Sequence, residues 1–142
     1  MKLDEFEQLV SDGFDRLPEW VRQKISNVAI LVEDEPSKED RHAQGLSDDE
    51  TLLGLYKGIP LSARGEMYGV GMTLPDTITI YMLPTLEMAD DECGSGVSEE
   101  VFREHVRKIV ADTIWHEFAH HFGMDEAAVH RREVERHDGE VH

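Results

Sequence analysis

The sequence predicts an α+β fold that combines a few strands with one long helix and further helices at both ends of the chain. Val28–Val32 is a continuous apolar run rich in β-branched residues, and Thr77–Leu83 alternates β-branched and aromatic residues, as strands do. From Ser98 to about His121, apolar residues recur at helical spacing instead. At 142 residues the chain has room for one domain, which we expect to span residues 1–142.

The N-terminal part of the chain is predicted to form two helices and a strand. Apolar residues repeat at helical spacing within residues 5–17, and Pro18 ends this run before Glu19–Lys24 offers a second, shorter helix. Val28–Val32 follows as a strand that we expect to be buried on both faces, because it contains no polar alternation. The apolar residues of the first helix are Phe6, Leu9, Val10, Phe14 and Leu17.

The middle of the chain alternates polar segments with short strands. Residues 33–50 and 88–97 are acidic and poor in apolar residues, which predicts loops. Leu52–Ile59 predicts a short strand, and the glycines of residues 60–75 predict turns or a weak hairpin. Thr77–Leu83 is the clearest strand of the sequence.

The long helix has recognisable start and stop signals. Ser98 is placed to cap its N-terminus, with acidic residues in the first turn, and Gly123 is placed to end it just after His121. A last helix is expected over about Asp125–His137. Residues 138–142 are then a flexible tail.

The chain is strongly acidic, with 31 Asp and Glu against 14 Lys and Arg and a formal charge of −17. This charge has the wrong sign for nucleic acid or for an anionic membrane surface. No apolar run approaches the roughly 18–20 residues of a membrane-spanning helix, and the acidic start is unlike a signal peptide. Cys93 is the single cysteine, which agrees with a reducing compartment. We therefore expect a cytoplasmic monomer without nucleic-acid or membrane partners.

His116, Glu117 and His120 form an HExxH motif within the predicted long helix. Helical residues four apart lie one above the other, so both imidazoles can reach one metal ion while Glu117 lies beside it to hold a water. The apolar stripe of the helix runs into these three polar residues, and burying them without partners would cost several kcal/mol. One zinc ion per chain would satisfy them; a hydrogen-bonded core network is the structural alternative.

A catalytic zinc site usually has three protein ligands and a water. Glu126 is six residues past His120, the offset at which the extended HExxHxxGxx pattern places a third ligand, and Gly123 allows the chain to turn back towards the metal. Asp125 is the competitor, and Glu133 and His130 are further alternatives. One of the two adjacent acids could instead cap the last helix.

The motif predicts hydrolysis by a metal-activated water. Glu117 would accept the proton of this water and return it to the leaving amine. Tyr81, Tyr68 and Arg64 are candidate stabilisers of the oxyanion, and Tyr81 is our choice among them. An extended peptide could pair with a sheet edge, for which Thr77–Leu83 is our candidate, the alternative being that this strand is internal.

Four segments together resemble the small bacterial zincin-like metallopeptidase domain family of the HExxHxxGxx[DE] type. They are HEFAHHFGMDE and, upstream, VAILVEDEPS, LLGLYKGIPLSARG and LPDTITIYMLP. The resemblance covers about Leu17 to Val129 and implies a compact single-domain zincin-like fold with a small mixed sheet on the metal helix. It also implies His116, His120 and an acidic residue as ligands, with Glu117 catalytic. No methionine follows Met124, so the methionine turn of larger peptidases is missing.

Three functions are compatible with these observations. The leading one is a zinc-dependent metallopeptidase acting on peptide or protein substrates, with Glu117 as general base. A non-catalytic binding domain stabilised by metal would need the ligands but not Glu117. A third possibility is another metal-dependent amide hydrolase, which a peptide-library screen would separate from a peptidase.

Overall fold

The computed structural model describes residues 1–46, 51–58 and 76–121. They form the predicted α+β fold, with five helices and three strands. The predicted turns of residues 60–75, the last helix and the tail at 138–142 lie outside the described residues. The elements are α1 (Leu3–Asp15), α2 (Glu19–Lys24), β1 (Val28–Glu33), α3 (Lys38–Ala43), β2 (Gly54–Lys57), β3 (Asp76–Tyr81), α4 (Met82–Cys93) and α5 (Glu99–His121).

The three described strands form a mixed sheet in the order β1-β3-β2. β1 is parallel to β3, with Ile30 opposite Ile78, and β2 is antiparallel to β3, with Tyr56 opposite Ile78. β3 is therefore central, and our choice of Thr77–Leu83 as the sheet edge was wrong. A strand with neighbours on both sides has no backbone groups left for a peptide, whereas β2 is an edge strand among the described residues.

Three of the predicted segments differ from the structure. The residues of β1 are half-buried or exposed rather than buried on both faces, because β1 is an edge strand of the sheet. Residues 88–93, predicted as part of an acidic loop, belong to α4. Residues 33–50 likewise contain α3, whose N-cap Ser37 accepts a hydrogen bond from the backbone N–H of Asp40 (3.0 Å).

The hydrophobic core lies between the sheet and the pair α1 and α5. Gly13 of α1 lies in close contact with α5, since a Cβ atom there would be 2.9 Å from the backbone oxygen of Arg107 and from Cγ1 of Val110. Buried residues of α5 extend along most of its length and give it its central place in the fold. They are Val106, Ile109, Val110, Ala111, Thr113, Ile114, Trp115, Phe118 and Ala119.

Ion pairs at the rim join α1 to α5. Nε of Arg107 lies 3.1 Å from Oδ2 of Asp12, and Arg16 pairs with Glu104. Hydrogen bonds from Gln8 and Arg107 lower the pKa of Asp12, so its carboxylate stays ionised to lower pH in the folded protein.

None of the helices within residues 1–46, 51–58 and 76–121 has both the length and the hydropathy that crossing a lipid bilayer requires.

Candidate active site

Helix α5 carries the HExxH motif in its last two turns. Its N-terminus is capped as predicted, because the Ser98 hydroxyl accepts a hydrogen bond from the backbone N–H of Val101 (3.2 Å). The imidazole rings of His116 and His120 are nearly parallel, with an interplanar angle of 15° and centroids 6.3 Å apart. The i, i+4 spacing therefore places both rings on one side of the helix, as two ligands of one ion require.

Both imidazoles are exposed, which differs from the burial that we expected. The buried residues of these turns are instead Ile114, Trp115, Phe118 and Ala119, on the neighbouring face of the helix. The cost of burial is therefore no argument for a metal at His116 and His120. What favours a metal is the donor set itself, because two imidazoles four residues apart on one side of a helix are ligands that zinc accepts.

Glu117 is half-buried between α5 and the edge strand β2. Its Oε2 accepts a hydrogen bond from the backbone N–H of Tyr56 at 3.3 Å. Burial raises the pKa of the Glu117 carboxyl, while the Tyr56 N–H and the nearby His120 and His116 act in the opposite direction. A carboxylate with a raised pKa is a stronger base, so this environment suits a group that accepts a proton.

The third metal ligand is not found among the described residues. In these parts of the chain, no group of three or more His, Cys, Asp or Glu side chains is arranged to hold a metal ion. Glu126, Asp125, Glu133 and His130 all lie outside the described ranges. The assignment of Glu126 as third ligand, with Asp125 as competitor, therefore stays a prediction.

A groove of about 490 Å³ runs along β2 and α5 beside the motif. Gly54 brings the strand close to the helix: a Cβ atom at this position would lie 2.6 Å from Cγ2 of Thr113. The wall combines apolar residues with polar residues and charged residues of both signs. The described lining residues are Thr51, Leu52, Leu53, Gly54, Met88, Glu92, Lys108, Ile109, Asp112, Thr113, His116 and Glu117.

Tyr56, Asp76 and His121 form a cluster next to Glu117 that we did not predict. The Tyr56 hydroxyl donates a 2.6 Å hydrogen bond to Oδ2 of Asp76, and the Tyr56 ring stacks on the imidazole of His121 with centroids 3.7 Å apart. Nε2 of His121 lies 3.8 Å from the same Oδ2. Nothing in the sequence links residues so far apart.

Tyr81, our candidate oxyanion stabiliser, is 0% exposed at the end of β3. Its hydroxyl has no hydrogen-bond partner within the described part of the chain. Burial, reinforced by the charges of Asp40, Glu33 and Glu117, raises the pKa of Tyr81 to about 12. The hydroxyl thus stays a donor at neutral pH, and its catalytic role stays a prediction. Tyr68 and Arg64 lie outside the described residues.

Comparison with known proteins identifies the kind of domain. A family model described as "Zincin-like metallopeptidase" matches residues 25–136, which is most of the chain. No curated protein matches the sequence significantly. The matched range includes the three described strands and the whole of α5 with its HExxH motif.

Proposed function

This chain belongs to the zincin-like metallopeptidase family, and on that premise we propose that it is a zinc-dependent peptidase in which Glu117 is the general base. The observation that carries the proposal is the place of Glu117. Its carboxylate lies between α5 and the edge strand β2, where the backbone N–H of Tyr56 donates a hydrogen bond to it. A metal-stabilised binding domain would not need a half-buried carboxylate with a raised pKa at this point.

The metal would be held by His116, His120 and an acidic residue, for which Glu126 is our choice and Asp125 the competitor. Two imidazoles and one carboxylate form a donor set that zinc accepts. When bound, zinc supplies Lewis acidity that polarises a substrate carbonyl and lowers the pKa of water. We expect one ion per chain.

Glu117 performs the proton transfers. It accepts a proton from the attacking water and delivers it to the nitrogen of the leaving amine, so that the peptide bond breaks without releasing an unprotonated amide anion. The N–H of Tyr56 bonds one carboxylate oxygen, Oε2. The other oxygen is the one that would face the water.

The substrate would lie as an extended segment along β2. The backbone N–H of Tyr81 in β3 donates to the Leu53 oxygen (2.9 Å). Backbone groups of successive residues in an antiparallel strand point in alternate directions, so the N–H and C=O of Gly54 point away from β3. A peptide can pair there while one side chain enters the groove. The charge of −17 steers basic segments towards the protein, an effect that salt weakens. We also propose that the protein acts as a cytoplasmic monomer.

Metal analysis combined with a peptide-library assay tests this proposal. We would compare the wild type with His116→Ala, Glu117→Gln and, as a matched control, Glu99→Gln in the first turn of the same helix. We expect about one zinc per chain in all but His116→Ala. Cleavage is expected only in the wild type and Glu99→Gln.

The possible failures of this test are distinct. Full cleavage by Glu117→Gln contradicts its role as general base. A wild type that binds zinc but cleaves no peptide indicates the binding domain or an amide hydrolase of another specificity. If the wild type binds no transition metal, the metallopeptidase proposal is refuted.

A further inference from the structure

Tyr56 connects the candidate general base to two other side chains. Its backbone N–H donates to Oε2 of Glu117, its hydroxyl donates to Oδ2 of Asp76, and its ring stacks on His121. We propose that Tyr56, Asp76 and His121 act together as a positioning clamp that holds the Tyr56 N–H on the Glu117 carboxylate. This inference rests on the proposed function, because it concerns the alignment of the base.

The strand that carries the Tyr56 N–H needs support. β2 is only four residues long, and in the described structure it pairs with one strand, β3, on one side. The hydrogen bond to Glu117 lies on the other side and is 3.3 Å long, near the upper limit for an N–H···O contact. A small rotation of this peptide group would therefore break the bond.

The side chain of Tyr56 is held more firmly than its backbone. The 2.6 Å distance to Asp76 is that of a charge-assisted hydrogen bond, and the Asp76 side chain is only 16% exposed. Asp76 is the first residue of β3 and pairs there with β1, so the phenol is anchored to the central strand. The ring cannot turn without losing this bond.

His121 closes the clamp from the helix. Its imidazole lies nearly parallel to the Tyr56 ring, at 15°, and covers one face of it. His121 directly follows His120, and two other residues of the same helix, Glu117 and Thr113, also approach β2. The clamp thus connects the metal-binding turn of α5 to the edge strand, and it fixes the distance between them.

The test compares Tyr56→Phe and Asp76→Asn with Asp40→Asn. The control makes the same Asp-to-Asn change at a carboxylate that bonds Lys57, the next residue of the strand, at 3.0 Å. Amide hydrogen exchange of residue 56 in the isotopically labelled protein reads the N–H directly. Zinc content, thermal stability, kcat and KM are measured on the same samples.

We expect exchange of the residue 56 amide to be at least about 10-fold faster in both clamp variants than in Asp40→Asn. We expect kcat to fall about 10-fold with KM within about twofold, which is the lower end of what loss of a supporting hydrogen bond costs at metal sites. Zinc content should stay near that of the wild type. A merely structural role would instead lower stability without separating kcat from KM.

Unchanged exchange at residue 56 in both Tyr56→Phe and Asp76→Asn would overturn the clamp. If Asp76→Asn does not fold, Tyr56→Phe decides, because it removes one hydroxyl and keeps the stacked ring. If the wild type cleaves no peptide, the proposed function fails, and the exchange measurement still confirms or rejects the clamp by itself.

Discussion

Replacing Gly54 with alanine tests the close contact between β2 and α5. Gly54 is not among the glycines with positive φ, so its backbone accepts any residue. Without steric conflict, Gly54→Ala would stabilise the protein by about 0.4–1 kcal/mol, because it restricts the unfolded chain. The added Cβ would, however, lie 2.6 Å from Cγ2 of Thr113 and 3.1 Å from the backbone oxygen of Thr79. The sign of the stability change therefore reports on this contact.

The expected magnitude follows from these distances. Carbon atoms in contact normally lie about 3.5–4.0 Å apart, so the strand and helix would have to separate by roughly 1 Å. Overpacking of this kind costs about 1–3 kcal/mol, which outweighs the entropic gain and leaves a net loss of about 1–2 kcal/mol. With an m-value near 2 kcal/mol/M, the urea midpoint should fall by about 0.5–1 M.

A double-mutant cycle identifies the atom responsible. Thr113→Ser removes Cγ2 and keeps the hydroxyl, which donates to the Ile109 oxygen at 2.7 Å. Combined with Gly54→Ala it should recover about 1 kcal/mol relative to the sum of the single changes. Gly58→Ala is the control, because its Cβ would meet atoms no closer than 3.8 Å. Equal stabilisation by Gly54→Ala and Gly58→Ala, with no coupling to Thr113, would refute the reasoning.

Three further outcomes are expected. Gly13→Ala should destabilise the protein by about 1–3 kcal/mol, because the added Cβ would lie 2.9 Å from the Arg107 oxygen. This cost outweighs the better helix propensity of alanine. Thermal melts measure the effect, and an unchanged melting temperature would contradict it. Arg107→Gln should lower the free energy of unfolding by about 0.5–1 kcal/mol at pH 7. Hydrogen bonds from Gln8 and Arg107 lower the pKa of Asp12 from 3.8, so this stabilisation is present above pH 3.8 and is lost as the pH falls through the folded-state pKa. Urea titrations should therefore show a smaller difference in free energy of unfolding between wild type and Arg107→Gln at pH 3 than at pH 7. Added zinc should raise the melting temperature of metal-free wild type and not of His116→Ala, and an equal rise in both would place the metal elsewhere.

Most elements could be predicted from local pattern. The periodicity of α1 and α5, the break at Pro18 and the β-branched run of β1 depend on neighbouring residues and are confirmed. α4 was missed because its acidic residues resemble a loop. The helix depends instead on buried contacts of Met82, Thr85 and Ala89, which the sequence does not display.

In the candidate site, too, local features could be predicted from the sequence and long-range contacts could not. His116, Glu117 and His120 lie within five residues, so spacing alone predicts that they share a helix face. The order of the strands depends on long-range pairing, and for this reason β3 was mistaken for the edge. The contact of Tyr56 with His121 likewise joins distant parts of the chain, and only the packed structure brings them together.

The short length of the edge strand β2 limits the affinity for an extended peptide. Among the described residues of this strand, Gly54 and Tyr56 direct their backbone groups away from β3, and the Tyr56 N–H is already bonded to Glu117. A peptide could therefore form only a few backbone hydrogen bonds along it. Each such bond contributes only about 0.5–1.5 kcal/mol net. Backbone pairing alone would then bind peptides weakly, and selectivity would come from the side chain that fills the groove. The proposed peptidase would thus discriminate among substrates by one residue rather than by a long extended sequence.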